Sequence, residues 1–366
     1  MPADRTRLIS ASEGHTTPVA VVDEEVREAN LARMQASANA HGLRLRPHAK
    51  THKSGFVALR QVAHGAVGVT AATMHEAEVF ANAGVKDVLI AHPPVGEPKL
   101  RRLRALATRL DRLAVALDTV DLAAALPDAV EVLWEVDTGQ HRLGTAPGEP
   151  TLAAVRGLLE VIGARRFRGL LTHAGYSYSA HDDGEVLAAA QDETNGLVET
   201  ASLLRERGIE VRELSIGSTP TAHHVEVAKG VTEMRPGTYV YGDANQVALG
   251  TQALDECALV VVATVVSRPA RTRAVIDAGS KAMSADLRVA GLNGYGIVLG
   301  HPGVTLDRVS EEHGVLVSED AIDLKPGDRV AVIPAHACTT VNLHPAVLVV
   351  SAAGARWELV DARGWS

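Results

Sequence analysis

"AVGVTAATMHEAEVFANAGVKDVLIA" (residues 66–91) reads as one complete repeat unit of a parallel sheet. The apolar run AVGVT (66–70) gives way to a segment of helical period, MHEAEVFANAG (74–84), and then to a second apolar run, DVLIA (87–91). Short apolar runs of this kind are strands, and Gly84 ends the helical segment where a left-handed cap is needed. Outward from this unit the alternation extends from Arg44 to about residue 241. Its other strand-like runs are LRLRP (43–47), LAVALD (113–118), VEVLWEV (130–136), FRGLLT (167–172), RELSI (212–216) and the stretch from VTEMR to YVYG (231–242). That makes eight runs, with helices such as TLAAVRGLLEVIG (151–163) between them, and it predicts a (β/α)8 TIM-type barrel.

After Gly242 the texture changes to ALVVVATVV, RAVIDAG, VLVSED, DRVAVIPAH and AVLVVS, separated by Gly, Pro and charged turns. The expected fold class is therefore α/β, with a barrel over 25–245 followed by a mainly antiparallel β domain over 246–366. The first twenty or so residues, which include PVAVVD (18–23), return to one of the two.

Composition narrows the partners. With 46% apolar and 22% charged residues over 366 positions, the chain is expected to be an ordinary globular protein. Its net charge of −8, without a basic stripe, argues against nucleic acid. ALVVVATVV is about half of the ~20 residues a membrane-spanning helix needs, and MPADRTRLISASEGHTTP lacks the hydrophobic run of a signal peptide. The expected location is the cytoplasm, where Cys257 and Cys338 stay thiols and any special role is reactivity or metal binding.

In a TIM-type barrel the active site lies at the C-terminal ends of the strands, and the loops after strands 7 and 8 often hold a phosphate. Here those loops are SIGSTPT (215–221), with Gly217, Ser218 and Thr219, and RPGTY (235–239), with Gly237, Thr238 and Tyr239. Backbone N–H groups exposed beside glycine suit an anion. Strand 1 leaves toward the same mouth through RPHAKTHKS (46–54). A lysine placed there, beside a phosphate site, suggests a Schiff-base cofactor, and Lys50 lies nearer the strand end than Lys53.

These motifs resemble the fold-type III pyridoxal-phosphate enzymes, the alanine racemase-like barrels. DTGQHRLG (137–144) and RPGTYVYG (235–242) are similar to segments of that superfamily. The resemblance implies Arg142 at the cofactor's phenolic oxygen and Arg235 near the pyridine nitrogen, with His173 behind it; Tyr178 follows in THAGYSY (172–178). Within the superfamily the chain resembles the D-serine dehydratase and D-threonine aldolase family, through RPHAKTHKS, GSTPT (217–221), DAGSKAMSAD (277–286), EEHG (311–314) and PAHACTTVNLHP (334–345). The implied cofactor is pyridoxal 5'-phosphate on Lys50, and a two-domain enzyme of this type implies a homodimer.

HAC places His336 and Cys338 two apart after a strand-like run, so that an extended backbone would turn both side chains to one side. Imidazole plus thiolate suits Zn²⁺ better than Mn²⁺ or Mg²⁺. By the resemblance, dehydratases have His-x-Cys with Zn²⁺, and aldolases have His-x-Asp with Mn²⁺ or Mg²⁺. Aldolases also have a Gln-His pair where this chain has Tyr178 and Ser179, with His181 close by. The expected activity is elimination of water from a D-3-hydroxy amino acid to give a 2-oxo acid and ammonia. The alternatives are retro-aldol cleavage to glycine and an aldehyde, racemisation with Tyr295 as a second acid/base, and a non-catalytic cofactor carrier.

Overall fold

The computed structural model describes residues 6–286 and 289–364; the first five residues of the polar N-terminal segment lie outside these. The chain divides into two compact units. One comprises residues 33–50 and 55–237, the other residues up to 32, 51–54 and 238–364.

The first unit is built on eight short strands: β1 (Arg44–Leu45), β2 (Val69–Ala71), β3 (Asp87–Ile90), β4 (Arg112–Leu117), β5 (Glu131–Glu135), β6 (Phe167–Leu171), β7 (Glu213–Ile216) and β8 (Glu233–Met234). They form one sheet in the order β1-β8-β7-β6-β5-β4-β3-β2, and every pair is parallel. The remaining seam, β1 against β2, closes through Val67 N–H to the Leu45 carbonyl (2.9 Å) and Thr70 N–H to the Pro47 carbonyl (2.8 Å). A parallel bridge between His48 and Thr70 completes it. The helix of the opening repeat spans Met74–Ala83, started by Thr73, whose hydroxyl accepts the Glu76 N–H, and stopped by Gly84 at φ 115°.

Strand residues alternate between two apolar layers. Val88, Ile90, Val115, Leu117, Val132 and Trp134 pack with Phe80, Leu103 and Leu158 of the helices. Leu89, Ala114, Ala116, Leu133 and Leu171 form a separate cluster on the other face. β8 is shorter than the expected 231–242 run: it ends at Met234, because Pro236 has no N–H to continue a ladder, and Thr238–Val240 is a 3₁₀ turn.

Arg46 lies buried at the end of β1. Its Nε donates to Glu233 Oε2 (2.9 Å), and its two terminal nitrogens donate to Asp87 Oδ1 and Oδ2 (2.6 and 3.0 Å). Burial works against the charge, but Glu233 and Asp87 more than compensate and hold the guanidinium firmly protonated.

In the second unit, Leu259–Ala270 pairs with both Arg273–Ile276 and Arg329–Pro334. Gly314–Val317, Thr305–Val309 and Gly296–Val298 complete the ring, making a six-stranded antiparallel barrel. The N-terminal strand Val19–Asp23 extends this sheet: it lies antiparallel to the first half of Leu259–Ala270 and parallel to Ala346–Ser351, which pairs in turn with Gly354–Leu359. Among the described residues no helix is long and apolar enough to cross a membrane.

Removing Glu233 leaves a buried guanidinium short of a partner. Glu233→Leu is expected to lower stability by about 3–5 kcal/mol in urea unfolding. Glu97→Ala, which breaks an exposed pair with Arg104, should leave the transition midpoint unchanged.

Candidate active site

Lys50 sits in a 3₁₀ turn, Ala49–Thr51, directly after the β1 end. The turn is anchored by His48 N–H, which donates to the Pro236 carbonyl (2.9 Å) in the loop after β8. Lys53, the competing lysine, belongs to the other unit and adopts φ 50°. Its ammonium donates to the Ala362 carbonyl (3.4 Å), and its own carbonyl accepts the Ala362 N–H (3.0 Å). Lys53 is thus held in a structural contact.

The loops after β7 and β8 interlock. Ser218 caps the short helix Thr219–Ala222, its hydroxyl accepting the Thr221 N–H (3.2 Å) and meeting Ser177 Oγ at 3.0 Å. Thr219 Oγ1 accepts the Gly237 N–H at 3.2 Å. A Cβ at Gly217 would come within 3.0 Å of the Arg235 backbone, so only glycine lets the two loops approach this closely. Arg235 is buried and donates to Ser215 Oγ and to the Thr172 carbonyl (2.6 Å).

His173 Nδ1 donates to the Gly217 carbonyl, an acceptor only, so Nδ1 carries the proton and Nε2 keeps its lone pair. Burial, together with the positive charge of Lys50, pushes His173 down to about 3, with Arg142 and Arg235 acting in the same direction. His48 is lowered by burial and the same cations, and its Nδ1 has no hydrogen-bond partner among the described residues. Burial and the positive charges of Lys50, Arg142 and Arg235 favour the neutral form of both imidazoles.

Arg142 is carried on a loop that Asp137 organises. Asp137 Oδ1 accepts the N–H groups of Gly139 (3.0 Å) and His141 (2.9 Å). Gly144, at φ 105°, would put a Cβ 2.7 Å from the Asp137 nitrogen. Tyr178 lies in the 3₁₀ turn Gly175–Ser179 after β6. His181 points to solvent, and its Nδ1 meets Glu185 Oε2 at 3.1 Å.

Glu193, on the helix Asp183–Glu206, is a site neighbour that sequence reading missed, since nothing in the pattern sets it apart from the helix's other acids. It is buried behind the Gly217 loop. Its Oε2 accepts the Gly217 N–H (3.4 Å), and its Oε1 has no hydrogen-bond partner among the described residues. Burial raises it to about 7 against the opposing pull of Thr221, the Gly217 N–H and Arg235.

In the β unit the strand Arg329–Pro334 stops before the HAC motif. His336 is the extended N-cap (φ −136°, ψ 112°) of the helix Ala337–Leu343, so Cys338 lies on a first helical turn. The strand alternation expected for this pair is therefore corrected, although the two side chains still meet. Cys338 Sγ also lies 3.1 Å from Thr51 Oγ1 and 3.6 Å from Thr238 Oγ1. Thr238 thus neighbours the sulfur, and Tyr239 is buried in the same turn. His336 Nδ1 meets Asp286 Oδ2 at 2.7 Å. Burial disfavours a charged His336, but Cys338, Asp243 and Asp286 outweigh it and raise the ring to about 10. Soft donors in surroundings that favour positive charge fit a zinc-type cation. Tyr295 lines an open cavity of about 500 Å³ together with Asp286 and Leu292.

The barrel unit gathers a lysine, two arginines and two glycine loops, a set that fits a phosphate-bearing aldehyde. Such a barrel, accompanied by a unit built on a β-barrel, defines the alanine racemase-like class of pyridoxal-phosphate enzymes. Residues 22–245 match the family model "Alanine racemase, N-terminal domain", and residues 258–350 match the serine dehydratase domain model. The chain is 37% identical to the D-threo-3-hydroxyaspartate dehydratase of Delftia sp. (strain HT23), over 95% of this chain and 98% of that protein. It is 35% identical to a D-threonine aldolase of Arthrobacter sp., over 96% and 93%. A solved structure of a cysteine-to-alanine variant of a D-threo-3-hydroxyaspartate dehydratase, in the metal-free form, superposes with a TM-score of 0.86 at 37% identity, over 96% of this chain and 99% of that one. The protein belongs to the D-serine dehydratase-like family of fold-type III pyridoxal-phosphate lyases.

Glu193 makes stability depend on pH. Because its folded value exceeds the unfolded 4.5, the native state holds this proton more tightly. The stabilisation is complete below about pH 4.5 and is lost as pH rises through about 7, by a few kcal/mol. Glu193→Gln cannot ionise. Its melting temperature, relative to wild type in cofactor-free protein, should rise between pH 5 and pH 8; a difference independent of pH would contradict this account.

Proposed function

We propose that this lyase eliminates water from a D-3-hydroxy amino acid, using pyridoxal phosphate and Zn²⁺, and releases a 2-oxo acid and ammonia. The observation that carries this reading is the pairing of His336 with Cys338. A thiolate–imidazole pair selects a borderline-soft Lewis acid, whereas a carboxylate in place of the sulfur would favour Mg²⁺ or Mn²⁺. When bound, pyridoxal phosphate supplies an electron sink for charge at Cα, and Zn²⁺ supplies Lewis-acid assistance to departure of the β-hydroxyl.

In this reading Lys50 would hold the cofactor through its amine, and the same amine would be the base for the Cα proton. The loops carrying Gly217, Ser218 and Thr219 and carrying Gly237, Thr238 and Tyr239 would hold the phosphate, with Tyr178 as a further cofactor residue. Arg142 faces the phenolic oxygen. Arg235 would stand near the pyridine nitrogen with His173 behind it, and burial and neighbouring cations favour the neutral form of that imidazole. His336 and Cys338 hold the metal, and Asp286 on His336 Nδ1 leaves Nε2 for the ion. The proposed assembly is a homodimer, which light scattering of the purified protein checks, and the proposed location is the cytoplasm.

Purified enzyme loaded with pyridoxal phosphate is expected to release ammonia from D-serine, D-threonine or D-threo-3-hydroxyaspartate in a zinc-dependent manner. Glycine plus acetaldehyde from D-threonine, without ammonia, would make it an aldolase instead. Cys338→Ala should lose zinc and at least about 100-fold in turnover while keeping the cofactor's visible absorbance. Lys50→Ala should lose borohydride-trappable cofactor altogether, and retention of trapping would move the attachment to another lysine.

A further inference from the structure

The barrel unit carries a second group of metal-type donors, made of residues that none of the steps above uses. Asp183 is the first residue of the helix Asp183–Glu206, which follows β6. His223 and His224 follow the short helix Thr219–Ala222 in the loop after the adjacent strand β7. One ligand atom from each of the three lies within 4.8 Å of the others. His224 Nε2 stands 2.8 Å from Asp183 Oδ1. Ligand atoms around a tetrahedral zinc, at about 2.0–2.1 Å from it, are roughly 3.3 Å apart, so a small opening of this pair admits an ion.

Two further features distinguish the trio from an ordinary surface ion pair. Glu226 Oε1 meets His224 Nδ1 at 3.3 Å, so the ring has a carboxylate on the nitrogen that would face away from the ion. This carboxylate–histidine relay is the usual support of a metal-bound imidazole, because it fixes the tautomer and turns Nε2 toward the ligand position. In addition, His223 stacks edge-on against His224, with ring centroids 5.1 Å apart and an interplanar angle of 82°, and its ring nitrogens make no hydrogen bond among the described residues. The backbone is set as well: His223 N–H donates to the Pro220 carbonyl (3.0 Å) and His224 N–H to the Thr221 carbonyl (3.1 Å). His224 is buried, whereas His223 and Asp183 are open to solvent, which gives an ion both a fixed ligand and an entry path.

We propose that Asp183, His223 and His224 form a second divalent-cation site, selective for zinc-type ions, with Glu226 as the supporting carboxylate. Two imidazoles and one carboxylate, with a fourth position left for water, suit Zn²⁺, and Co²⁺ as its spectroscopic substitute. An ion here cross-links the start of the helix after β6 to the end of the segment that begins with Gly217. The proposal does not depend on the His336–Cys338 reading, and the test separates the two.

The test uses untagged, full-length protein stripped with chelator and then dialysed against micromolar free Zn²⁺, with bound metal counted by elemental analysis. The double variant His336→Ala/Cys338→Ala is expected to retain one zinc per chain, and adding His224→Ala should abolish it. His223→Ala in the otherwise wild-type chain changes an exposed side chain and should remove one equivalent, which keeps the question decidable if the triple variant fails to fold. Glu226→Gln should weaken the site by about 10–100-fold. Co²⁺ in the double variant should give tetrahedral visible bands without thiolate charge transfer. A double variant that binds no zinc, or zinc binding that His223→Ala and His224→Ala both leave intact, overturns the proposal. If the wild type binds one zinc and the double variant also binds one, the second site stands and the His336–Cys338 reading falls.

Discussion

The buried ion pairs of Arg46 are the constraint on which the barrel depends. β1 and β8 are only two residues long, so few ladder hydrogen bonds join them to their neighbours. Arg46 bridges Glu233 of β8 and Asp87 of β3, and Glu233 passes the connection on through Ser215 Oγ (2.7 Å) to Arg235. A buried guanidinium needs fixed acceptors, and here both carboxylates lie on other strands, so the network favours this strand pairing and register. The turn carrying Lys50 begins directly beyond Arg46, and the loop carrying Gly237 begins directly beyond Arg235. One polar chain therefore sets both edges of the candidate cofactor site.

The two units carry opposite electrostatic preferences. In the barrel, burial first and then the charges of Lys50, Arg142 and Arg235 disfavour protonation of His48 and His173, and burial also raises Glu193. Such surroundings favour an anionic ligand and leave the imidazoles as neutral hydrogen-bonding groups. Around His336 the balance is reversed, since Cys338, Asp243 and Asp286 all favour positive charge. This contrast supports the proposal of a phosphate-bearing cofactor at the first set and a cation at the second.

Sequence periodicity reveals the barrel because each of its strands is buried on both faces and therefore reads as an apolar run. Thr305–Val309 and Gly354–Leu359 were missed for the complementary reason: both are largely exposed, and TLDRV and GARWEL show neither an apolar run nor clean alternation. The N-terminal strand Val19–Asp23 is buried throughout and reads clearly as a strand. Its partners are some 240 and 330 residues away, a pairing no local pattern encodes. At the site, the glycine loops and Lys50 stand out in the sequence because they follow strands at places the fold reserves for chemistry. Glu193 and the Asp183–His223–His224 group do not, because each is assembled from segments whose proximity exists only after folding.

In the HAC motif two side chains meet through a geometry other than the extended one expected from the sequence. Side chains two apart share a side in a strand, but here the pair straddles a helix start, where an extended N-cap residue lies over the first turn. An N-cap ordinarily spends its side chain on the orphan N–H groups of that turn. His336 makes no such bond, and its ring is engaged by Asp286 and Cys338 instead. The missing cap is supplied from elsewhere: Asp243 Oδ2 accepts the Ala337 N–H at 2.9 Å, while its Oδ1 accepts the Gln246 N–H at 2.9 Å and caps the helix Ala244–Ala248. One buried carboxylate thus starts two helices, and by relieving His336 of the capping duty it leaves that imidazole available to share an ion with Cys338.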